Sequence, residues 1–406
     1  MKIAILNTSD AKGGAAIVSH RLLNGLCESG IDARMIVADK TTDNNRVASA
    51  SSPSKRRSAF LLERLDIFAE NGFSRKNLFK VSTARFGSDA LSHEWIRQAD
   101  IVCINWINQG FLSLADIARL HEAGKKIVWT MHDMWCATGI CHHAYDCRHY
   151  TNRCGQCPFV RFPFRHDLSR QTWNAKKHLY DRVPIQFVAV SNWLAERCKE
   201  SSLLREKPLA VIHNALPIEH FDWRRAAGAP SEKTVIAMGA ARLDDPIKGF
   251  GIMVDAVNLI ADNHPDMANR LELLLFGSIR DKALLQSIRL NHRWIGAVAP
   301  NRIPELLQNA DIVLSSSHFE TLPTTLIEGQ AAGCLAVAFD HGGQRDIIDH
   351  QKNGYLAAYP DASDLANGII WAAEQKADRQ AIHDEAAARF SEKAIAKQYI
   401  NLFNSL

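Results

Sequence analysis

Two glutamates spaced eight residues apart, Glu320 and Glu328, carry the clearest chemical signal in the chain. The apolar run 312–314 predicts a buried strand, and Pro323 suits the start of a helix because its fixed φ and missing N–H are tolerated there. Glu328 would lie on that otherwise apolar helix, where an ionised carboxylate is costly unless it is hydrogen-bonded. Helical side chains lean toward the N-terminus, so Glu328 would point toward the loop that carries Glu320.

The start of this helix would also offer backbone N–H groups and a positive dipole end, which favour an anion. Two carboxylates that accept hydroxyls beside such a helix end predict a nucleotide-sugar site. The alternative is structural: Glu320 is a surface acid, and Glu328 is a buried acid paired with a Lys or Arg. The spacing alone leaves both interpretations open.

The sequence predicts α/β units that position these residues. A length of 406 residues favours two such domains. The apolar run 2–6 predicts a first strand, followed by a loop with Gly13 and Gly14 and by helical periodicity over 17–26. The glycine pair would let a ligand approach the backbone at a helix start, or it forms a plain tight turn. The GxGxxG pattern is absent, so the case for NAD is weak.

Polar residues His132 and Asp133 directly follow the predicted strand 127–131, at the end where open α/β sheets bind ligands. His132 could orient an acceptor or handle a proton, with Asp133 fixing its ring. A structural histidine at a strand end is the alternative.

A second α/β series begins at 234, after the Pro-, Gly- and charge-rich stretch 217–233, which predicts a linker. Its first loop carries Arg242 and Lys248 just before a helix, where two cations would suit a diphosphate. The alternative is a local ion pair of Arg242 with the aspartates that follow it. Gly277 follows a later strand, where a base or ribose could pack.

Five of the nine cysteines lie between 136 and 157, interspersed with histidines. In a reducing compartment such a cluster indicates metal more often than disulfides, and plain reduced cysteines are the main competitor. A closed four-thiolate zinc site would pin a loop that has no hydrophobic core of its own. The ligands would be Cys141, Cys147, Cys154 and Cys157.

Composition narrows the class of protein. With 47% hydrophobic and 23% charged residues the chain is an ordinary globular protein, and a net charge of +4 is too small to argue for nucleic acid. No apolar run reaches membrane-spanning length and the start lacks a signal layout, so a cytoplasmic enzyme is expected. Basic residues between 161 and 178 alternate with Phe162, Phe164 and Trp173, as on a surface that rests on an anionic membrane or on a solvated helix face that covers the core.

Taken together, these motifs resemble the retaining glycosyltransferases of family 4. Glu320 and Glu328 resemble the family's E-x7-E pair, Arg242 and Lys248 its phosphate clamp, and Gly13 with Gly14 its glycine-rich loop. The ending 389–403 is similar to its last helix. The resemblance covers essentially the whole chain and implies the GT-B fold: an α/β protein with two facing Rossmann-like domains, a cleft between them, and a C-terminal helix that crosses back. The implied division is 1–216 on the acceptor side with a cysteine-rich insert at 136–157, the linker 217–233, a nucleotide-sugar domain at 234–388, and a returning helix at 389–406.

The resemblance also implies roles in the site. Glu328 would accept the ribose hydroxyls and Glu320 would contact the donor sugar, while Arg242 and Lys248 neutralise the departing diphosphate. His132 would lie under the sugar or the acceptor. Backbone groups would complete the donor site at Gly13, Gly14, Gly277, Thr324, Thr325 and Leu326. No catalytic metal is implied, so any zinc would be structural.

A narrower resemblance links the segment WTMHDMWCATGICHH to bacterial exopolysaccharide enzymes of the colanic-acid and capsule type. The family resemblance implies a nucleotide-diphosphate sugar donor, and the narrower one implies a glycan or lipid-linked acceptor. Contact with the inner face of the membrane is expected from the basic and aromatic residues between 161 and 178. Two departures stand out: Asn214 is followed by alanine instead of glycine, and the first loop of the second domain is longer and more acidic. The remaining alternatives are a GT-B epimerase or phosphorylase and a non-catalytic sugar-nucleotide or scaffold subunit.

Overall fold

The structure is a computed structural model that describes residues 1–225 and 233–406. The chain divides into two compact units, Met1–Ala215 with Ile395–Leu406 (unit 1) and Leu216–Ala394 (unit 2). Most of the predicted linker, residues 226–232, lies outside the described residues. No helix in the described ranges has the length and apolar character needed to cross a bilayer.

Unit 1 alternates strands with helices. Its elements are β1 (Lys2–Ser9), α1 (Gly14–Glu28), β2 (Asp32–Asp39), β3 (Val47–Ser49), α2 (Pro53–Glu70), α3 (Glu94–Gln98), β4 (Ile101–Ile104), α4 (Leu114–Glu122), β5 (Lys126–Met131), α5 (Leu168–Arg182), β6 (Ile185–Ala189), α6 (Asn192–Glu200) and β7 (Leu209–Val211).

Unit 2 repeats the pattern, and the chain ends in a helix shared with unit 1. The elements are β8 (Thr234–Arg242), α7 (Phe250–Asn263), α8 (Pro265–Arg270), β9 (Leu271–Ser278), α9 (Ala283–Gln286), β10 (His292–Trp294), α10 (Ile303–Gln308), β11 (Ile312–Ser315), α11 (Thr324–Ala331), β12 (Leu335–Phe339), β13 (Gly354–Ala357), α12 (Ala362–Glu374), α13 (Arg379–Phe390) and α14 (Glu392–Asn404).

Each unit is built on one parallel sheet, which confirms the predicted α/β class. The strand order is β3-β2-β1-β4-β5-β6-β7 in unit 1 and β10-β9-β8-β11-β12-β13 in unit 2. In each sheet the chain first adds strands on one side of the first strand and then on the other. The strand order therefore reverses between β1 and β4 in unit 1 and between β8 and β11 in unit 2. The loops at the carboxyl ends of these strand pairs diverge there, and open α/β sheets bind ligands at that point.

Helix α2 lies in a polar and basic stretch, residues 43–92, whose irregular periodicity predicts only loops and short helices. It runs for 18 residues from a Ser52 cap, whose side chain accepts from the Lys55 N–H, with Pro53 at its first position. Its pattern is inverted: Glu63 and Arg64 are buried as an ion pair, while the leucines beside them face outward. The periodicity of apolar residues does not reveal this helix, because Glu63 and Arg64 share the buried face with Ala59 and Ile67.

Helix α5 corrects part of the surface expectation for 161–178. Phe162 and Phe164, before the helix, are exposed. Trp173 is buried, and Lys176 has no accessible surface at all. The exposed aromatic side chains of 161–178 therefore lie in the segment that precedes α5, whereas basic side chains such as that of Lys177 are exposed on α5 as well.

The C-terminal part of α14 completes the core of unit 1. Ile395, Tyr399 and Phe403 recur at helical spacing and pack in the same cluster as the strand residues Ile3 and Ile5. The Tyr399 hydroxyl also lies 2.9 Å from Thr130 Oγ1 of β5. Without these residues the sheet face that they cover would be open to water.

We predict that Phe403→Ala lowers the free energy of unfolding of unit 1 by about 3–5 kcal/mol, because it leaves a cavity at a site that is 2% exposed. Denaturant unfolding followed by tryptophan fluorescence measures the loss. Leu406→Ala is the matched control, since Leu406 is 38% exposed and should change stability little. Equal unfolding midpoints for the two variants would show that α14 does not stabilise unit 1.

Candidate active site

In unit 2, the loops that follow β8 and β11 are hydrogen-bonded to each other. The His318 N–H donates to Ile247 O (2.8 Å), and Ser316 Oγ donates to Lys248 O (2.9 Å). Gly249 has φ +63°, and a Cβ there would lie 2.1 Å from Ser316 O, so the close approach of the loops requires glycine. These contacts fix the position of the loop that carries Lys248 relative to the loop that carries Glu320.

The two loops bring Lys248 and Glu320 together. Lys248 Nζ lies 2.5 Å from Glu320 Oε1, and the two side chains are 29% and 18% exposed. Arg242, at the end of β8, pairs with Asp245 at 2.8 Å and with Asp244 at 3.5 Å. The local ion pairs considered for Arg242 are therefore present, and Lys248 pairs instead with the acid 72 residues away.

Glu328 lies on α11, where it is 7% exposed. Helix α11 begins at Thr324, with Pro323 as its cap residue rather than its first helical residue. The Leu326 N–H donates to Pro323 O at 3.1 Å, so it is already used within the turn. The N–H groups of Thr324 and Thr325 lie in the first helical turn, where acceptors within the helix are lacking.

Gly342 and Gly343, which follow β12, support the Glu320 loop, a role that the sequence analysis did not assign. The Gly343 N–H donates to Glu320 O at 2.9 Å. A Cβ on Gly343 would lie 2.0 Å from Thr321 O, and one on Gly342 would lie 2.6 Å from Glu320 O. The adjacent glycines after a buried strand were the available signal.

Gly277 is likewise at a position where a side chain would collide with neighbouring backbone. It has φ +125°, and a Cβ there would lie 1.9 Å from Ala240 O on the neighbouring strand. Strand packing alone therefore accounts for this glycine. Its predicted contact with a base or ribose stays a prediction.

In unit 1, the glycine-rich loop joins β1 to α1. Gly13 has φ +89° and precedes Gly14, the first residue of α1. A Cβ at either glycine would meet nothing within 4 Å, so open space borders the helix start. Nearby, the buried Asp10 accepts hydrogen bonds from the backbone and side chains of Thr41 and Thr42, which lower its pKa against the opposing effect of burial. The loop is thus held by its carboxylate and leaves the glycines accessible.

His132 and Asp133 follow β5, beside the residues that follow β4. His132 Nε2 lies 2.9 Å from Asn105 Oδ1, and burial lowers the pKa of this histidine to about 4 despite the opposing charge of Asp133. The ring is therefore neutral at pH 7, and Nε2 donates its proton to the amide oxygen.

Asp133 is held by three other residues. Its carboxylate accepts from the Trp106 indole N–H (3.1 Å) and the Trp135 N–H (2.8 Å), and it lies 2.7 Å from His142 Nδ1. Burial raises the pKa of Asp133, but the charge and hydrogen bond of His142 outweigh it, and the pKa falls to about 2. The expectation that Asp133 fixes the ring of His132 is therefore wrong. Asp133 binds His142, and Asn105 binds His132.

The cysteine-rich segment contains four thiols around one small cavity of about 20 Å³, lined by Cys141, Cys147, Cys154 and Cys157. All nine cysteines are free thiols. Among the residues that the structure describes, no group of three or more His, Cys, Asp or Glu side chains is arranged to hold a metal ion. The geometry therefore gives the predicted zinc no preformed ligand set.

We predict that His132 makes stability fall with acid. Because its pKa is lower in the folded state than the ordinary value of 6.5, the unfolded chain binds the proton first, and stability is lost as the pH falls from about 6.5 to about 4. The loss reaches about 3 kcal/mol. His132→Gln should remove this part of the pH dependence of unfolding, whereas His166→Gln, at an exposed position of unit 1, should leave it intact. Parallel curves for wild type and His132→Gln would contradict the prediction.

Comparison with known proteins identifies the family. The profile "Glycosyltransferase Family 4" matches residues 12–220, and "Glycosyl transferases group 1" matches residues 220–395. Among curated relatives, a phosphatidylinositol N-acetylglucosaminyltransferase subunit of Saccharomyces cerevisiae is 25% identical over 244 residues, which are 56% of this chain and 51% of that protein. A phosphatidyl-myo-inositol mannosyltransferase of Mycobacterium tuberculosis is 28% identical over 232 residues, 54% of this chain and 59% of that protein. The chain thus spans between half and three fifths of these relatives.

The fold extends the similarity to the full length. The crystal structure of Anabaena HepE in complex with UDP and glucose matches with a TM-score of 0.63 at 18% identity, covering 100% of both chains. Identity this low shows a shared fold only. The family profiles, which together run from residue 12 to residue 395, agree with the family resemblance of the motifs. The chain belongs to glycosyltransferase family 4 and has the GT-B fold.

Proposed function

We propose that this chain is a retaining glycosyltransferase that transfers a hexose from a nucleotide-diphosphate donor to a growing glycan or lipid-linked oligosaccharide of a bacterial surface polysaccharide. The observation that carries the proposal is the contact of Lys248 with Glu320 at the point where the strand order of unit 2 reverses. Anabaena HepE, with UDP and glucose bound to the same fold, supports the donor class. The mycobacterial mannosyltransferase, whose name specifies a phosphatidyl-inositol, supports a lipid-linked acceptor.

On this proposal the donor binds at the carboxyl ends of β8 and β11. Lys248 and Arg242 neutralise the diphosphate as the bond to the sugar breaks, and the N–H groups at the start of α11 add to this. Glu320 holds Lys248 in place before the donor binds and then accepts hydroxyls of the donor sugar. Glu328 accepts hydroxyls of the ribose. Stabilisation of the leaving group is the main catalytic effect, and the acceptor attacks from the face that the diphosphate leaves, so the anomeric configuration is retained.

His132 then works as a neutral group. With its pKa lowered to about 4 it is a poor general base at pH 7, so we assign it to orientation of the donor sugar or acceptor. Gly13 and Gly14 leave open space at the start of α1 for the same ligands. No resident metal takes part in this scheme.

We predict that Lys248→Met lowers kcat/KM for sugar transfer by about 10²–10³, because the developing charge on the diphosphate loses a fixed cation. Glu320→Gln should lower it similarly, since Lys248 then loses its partner. Lys352→Met is the matched control, a cation of unit 2 that is 69% exposed and pairs with Asp349. The assay measures transfer from a panel of UDP-, GDP- and ADP-sugars, chosen by thermal shift, and NMR of the product reads the anomeric configuration.

Normal turnover in both site variants would overturn the proposed role of this pair, and an inverted product would overturn the retaining mechanism. Donor binding without transfer to any of a broad range of acceptors would favour the alternative of a non-catalytic subunit. Absorbance of bound pyridoxal would favour a phosphorylase.

The proposal also assigns a membrane-facing surface to unit 1. Seven large apolar side chains there are 48–73% exposed, and we call them the apolar patch: Leu61, Leu62, Leu65, Phe73, Phe79, Phe162 and Phe164. Three hydrogen bonds join its two segments, from the Arg161 N–H to Asn71 Oδ1 (2.6 Å), from the Arg161 guanidinium to Gly72 O (3.1 Å) and from Asn77 Nδ2 to Phe159 O (3.1 Å). Exposed apolar residues gathered in this way mark an interaction surface.

Charge favours an anionic lipid surface as the partner. Seven exposed cations lie in the same segments of chain, and each contributes about 1 kcal/mol near an anionic bilayer. They are Lys55, Arg57, Arg75, Lys76, Lys80, Arg161 and Arg165. Apolar insertion and basic attraction together supply the two signals that stable, reversible membrane binding needs.

We predict that the double variant Leu61→Glu/Leu65→Glu lowers binding to phosphatidylglycerol vesicles at least about tenfold, because two inserting leucines become anions. Vesicle co-sedimentation measures the binding, with phosphatidylcholine vesicles as the neutral comparison. Leu406→Glu, an equivalent change at an exposed apolar residue outside the patch, should bind as wild type does. The assignment would be overturned if the wild-type protein did not bind the vesicles and instead dimerised through this patch in sedimentation analysis.

A further inference from the structure

Two aromatic rings lie side by side at the carboxyl end of the unit 1 sheet. Trp106 lies two residues beyond the end of β4, and His142 belongs to the irregular segment that follows β5. Their ring centres are 5.6 Å apart, and the ring planes make an angle of 35°. Both residues are partly exposed, although the residues on either side of Trp106 are buried. Open α/β sheets bind their ligands at this end, and the proposed transfer reaction gives neither ring a role.

The polar atoms of the two rings are all hydrogen-bonded within unit 1. Trp106 Nε1 donates to Asp133 Oδ2 at 3.1 Å, and His142 Nδ1 lies 2.7 Å from the same oxygen. Because Asp133 is ionised, with its pKa lowered to about 2, His142 Nδ1 carries a proton and donates it to this carboxylate. The other ring nitrogen of His142, Nε2, lies 3.1 Å from Ser82 Oγ. The rings therefore offer a ligand their C–H and π surface.

The backbone holds the two rings in place. The Trp106 N–H donates to Asn7 Oδ1 at 2.9 Å, and the Trp106 carbonyl accepts from the Thr8 N–H at 2.8 Å, so that this loop is fixed to the end of β1. The His142 carbonyl accepts from the Met134 N–H at 2.9 Å. A surface that is ordered in this way loses little conformational entropy when it binds a ligand.

The carboxylate of Asp133 adds a hydrogen-bond acceptor beside the rings. Its side chain is 16% exposed. The two oxygens of a carboxylate offer about four acceptor positions, and the Trp106 indole, the His142 ring and the Trp135 N–H occupy three of them. About one position is left for a hydroxyl group of a ligand.

Ring surface combined with a charged acceptor fits an uncharged sugar. The C–H groups on one face of a pyranose carry partial positive charge, which is attracted to the negative face of an aromatic ring. A sugar hydroxyl at the edge of that face can donate to the carboxylate. A phosphate or another anion would instead be repelled by Asp133, and a hydrocarbon chain would remove water from its charge without replacing the lost hydrogen bonds.

We propose that Trp106 and His142 form a subsite that binds an uncharged sugar unit of the acceptor, with Asp133 accepting one of its hydroxyls. This inference rests on the proposed glycosyltransferase function. It narrows the acceptor to a glycan that already contains at least one uncharged sugar. The donor is assigned to unit 2, so its binding should not depend on this subsite.

Sugar binding can be measured without catalysis, by saturation-transfer NMR of the full chain with a panel of neutral methyl hexosides. Trp106→Ala should weaken this binding about five- to tenfold, because the sugar loses its stacking surface. Methyl glucuronide, the anionic counterpart of methyl glucoside, should bind more weakly than the glucoside. Trp95→Ala is the matched control: Trp95 is a partly exposed tryptophan of unit 1 with the His93 ring 5.2 Å away, but it precedes β4.

In the transfer assay, Trp106→Ala should raise the KM for a glycan acceptor about five- to tenfold. Because only acceptor binding is lost, kcat at saturating acceptor and the affinity for the nucleotide sugar should stay within about twofold of wild type. Trp95→Ala should leave all three quantities unchanged. If Trp106→Ala does not fold, Trp106→Leu replaces it, since leucine keeps apolar bulk without a ring.

The subsite would be overturned if the wild type bound none of the neutral hexosides, or if Trp106→Ala left both sugar binding and acceptor KM unchanged. A parallel loss of donor affinity in Trp106→Ala would also overturn it. These outcomes would leave the proposed transfer reaction standing. A wild type that transferred sugar from no donor to any acceptor would overturn the proposed function instead, and hexoside binding to the wild type and to Trp106→Ala would still decide whether the rings bind sugar.

Discussion

The contact between the loops after β8 and β11 is the constraint on which the candidate active site of unit 2 depends. These strands are neighbours in the sheet, yet the chain between them forms β9 and β10 on the other side of β8. Three elements fix the contact: a backbone hydrogen bond, the Ser316 hydroxyl, and a glycine with no Cβ at the closest approach. Lys248 and Glu320, far apart in the chain, lie in contact as a result. A parallel sheet whose strand order reverses at this point brings residues from two distant loops together.

Unit 1 has the same topology, but the charges at its strand ends are arranged differently. At the ends of β4 and β5 the buried groups form two separate pairs, His132 with Asn105 and Asp133 with His142. Burial disfavours charge on both His132 and Asp133, but only Asp133 has a partner strong enough to keep its charge. The result is a neutral imidazole beside a fixed carboxylate. Such a group can position a ligand without changing its own charge near pH 7.

The insertion after β5 and helix α2 are the parts of unit 1 that depart from a plain doubly wound domain. In each of them, charged side chains are buried where apolar ones are usual. Helix α2 buries an ion pair and exposes leucines, and Lys176 of α5 is buried beside the thiols of the insertion. A charge inside a domain has to be balanced by other charges or dipoles, and exposed apolar groups have to be covered by a partner to gain stability. Lys176 is satisfied within the chain, by the carbonyl oxygens of Trp135 and Thr138, so the exposed leucines of α2 are the feature that implies a partner.

The sequence by itself determined the α/β class, the strands at 2–6, 127–131 and 312–314, and the family, because buried parallel strands are short apolar runs and the family's motifs are local in the chain. It also singled out Glu320, Lys248 and His132 from their places beyond strand ends. It could not determine which partners these side chains have. The role of Gly342 and Gly343 and the burial of Lys176 depend on elements that are distant in the chain. The binding of Asp133 to His142 in place of His132 depends on how an irregular loop folds back over nine residues, which no periodic pattern predicts. The spacing of Glu320 and Glu328 does not reveal a partner for Glu320. The fold supplies one, because the loop after the neighbouring strand β8 holds Lys248 against Glu320.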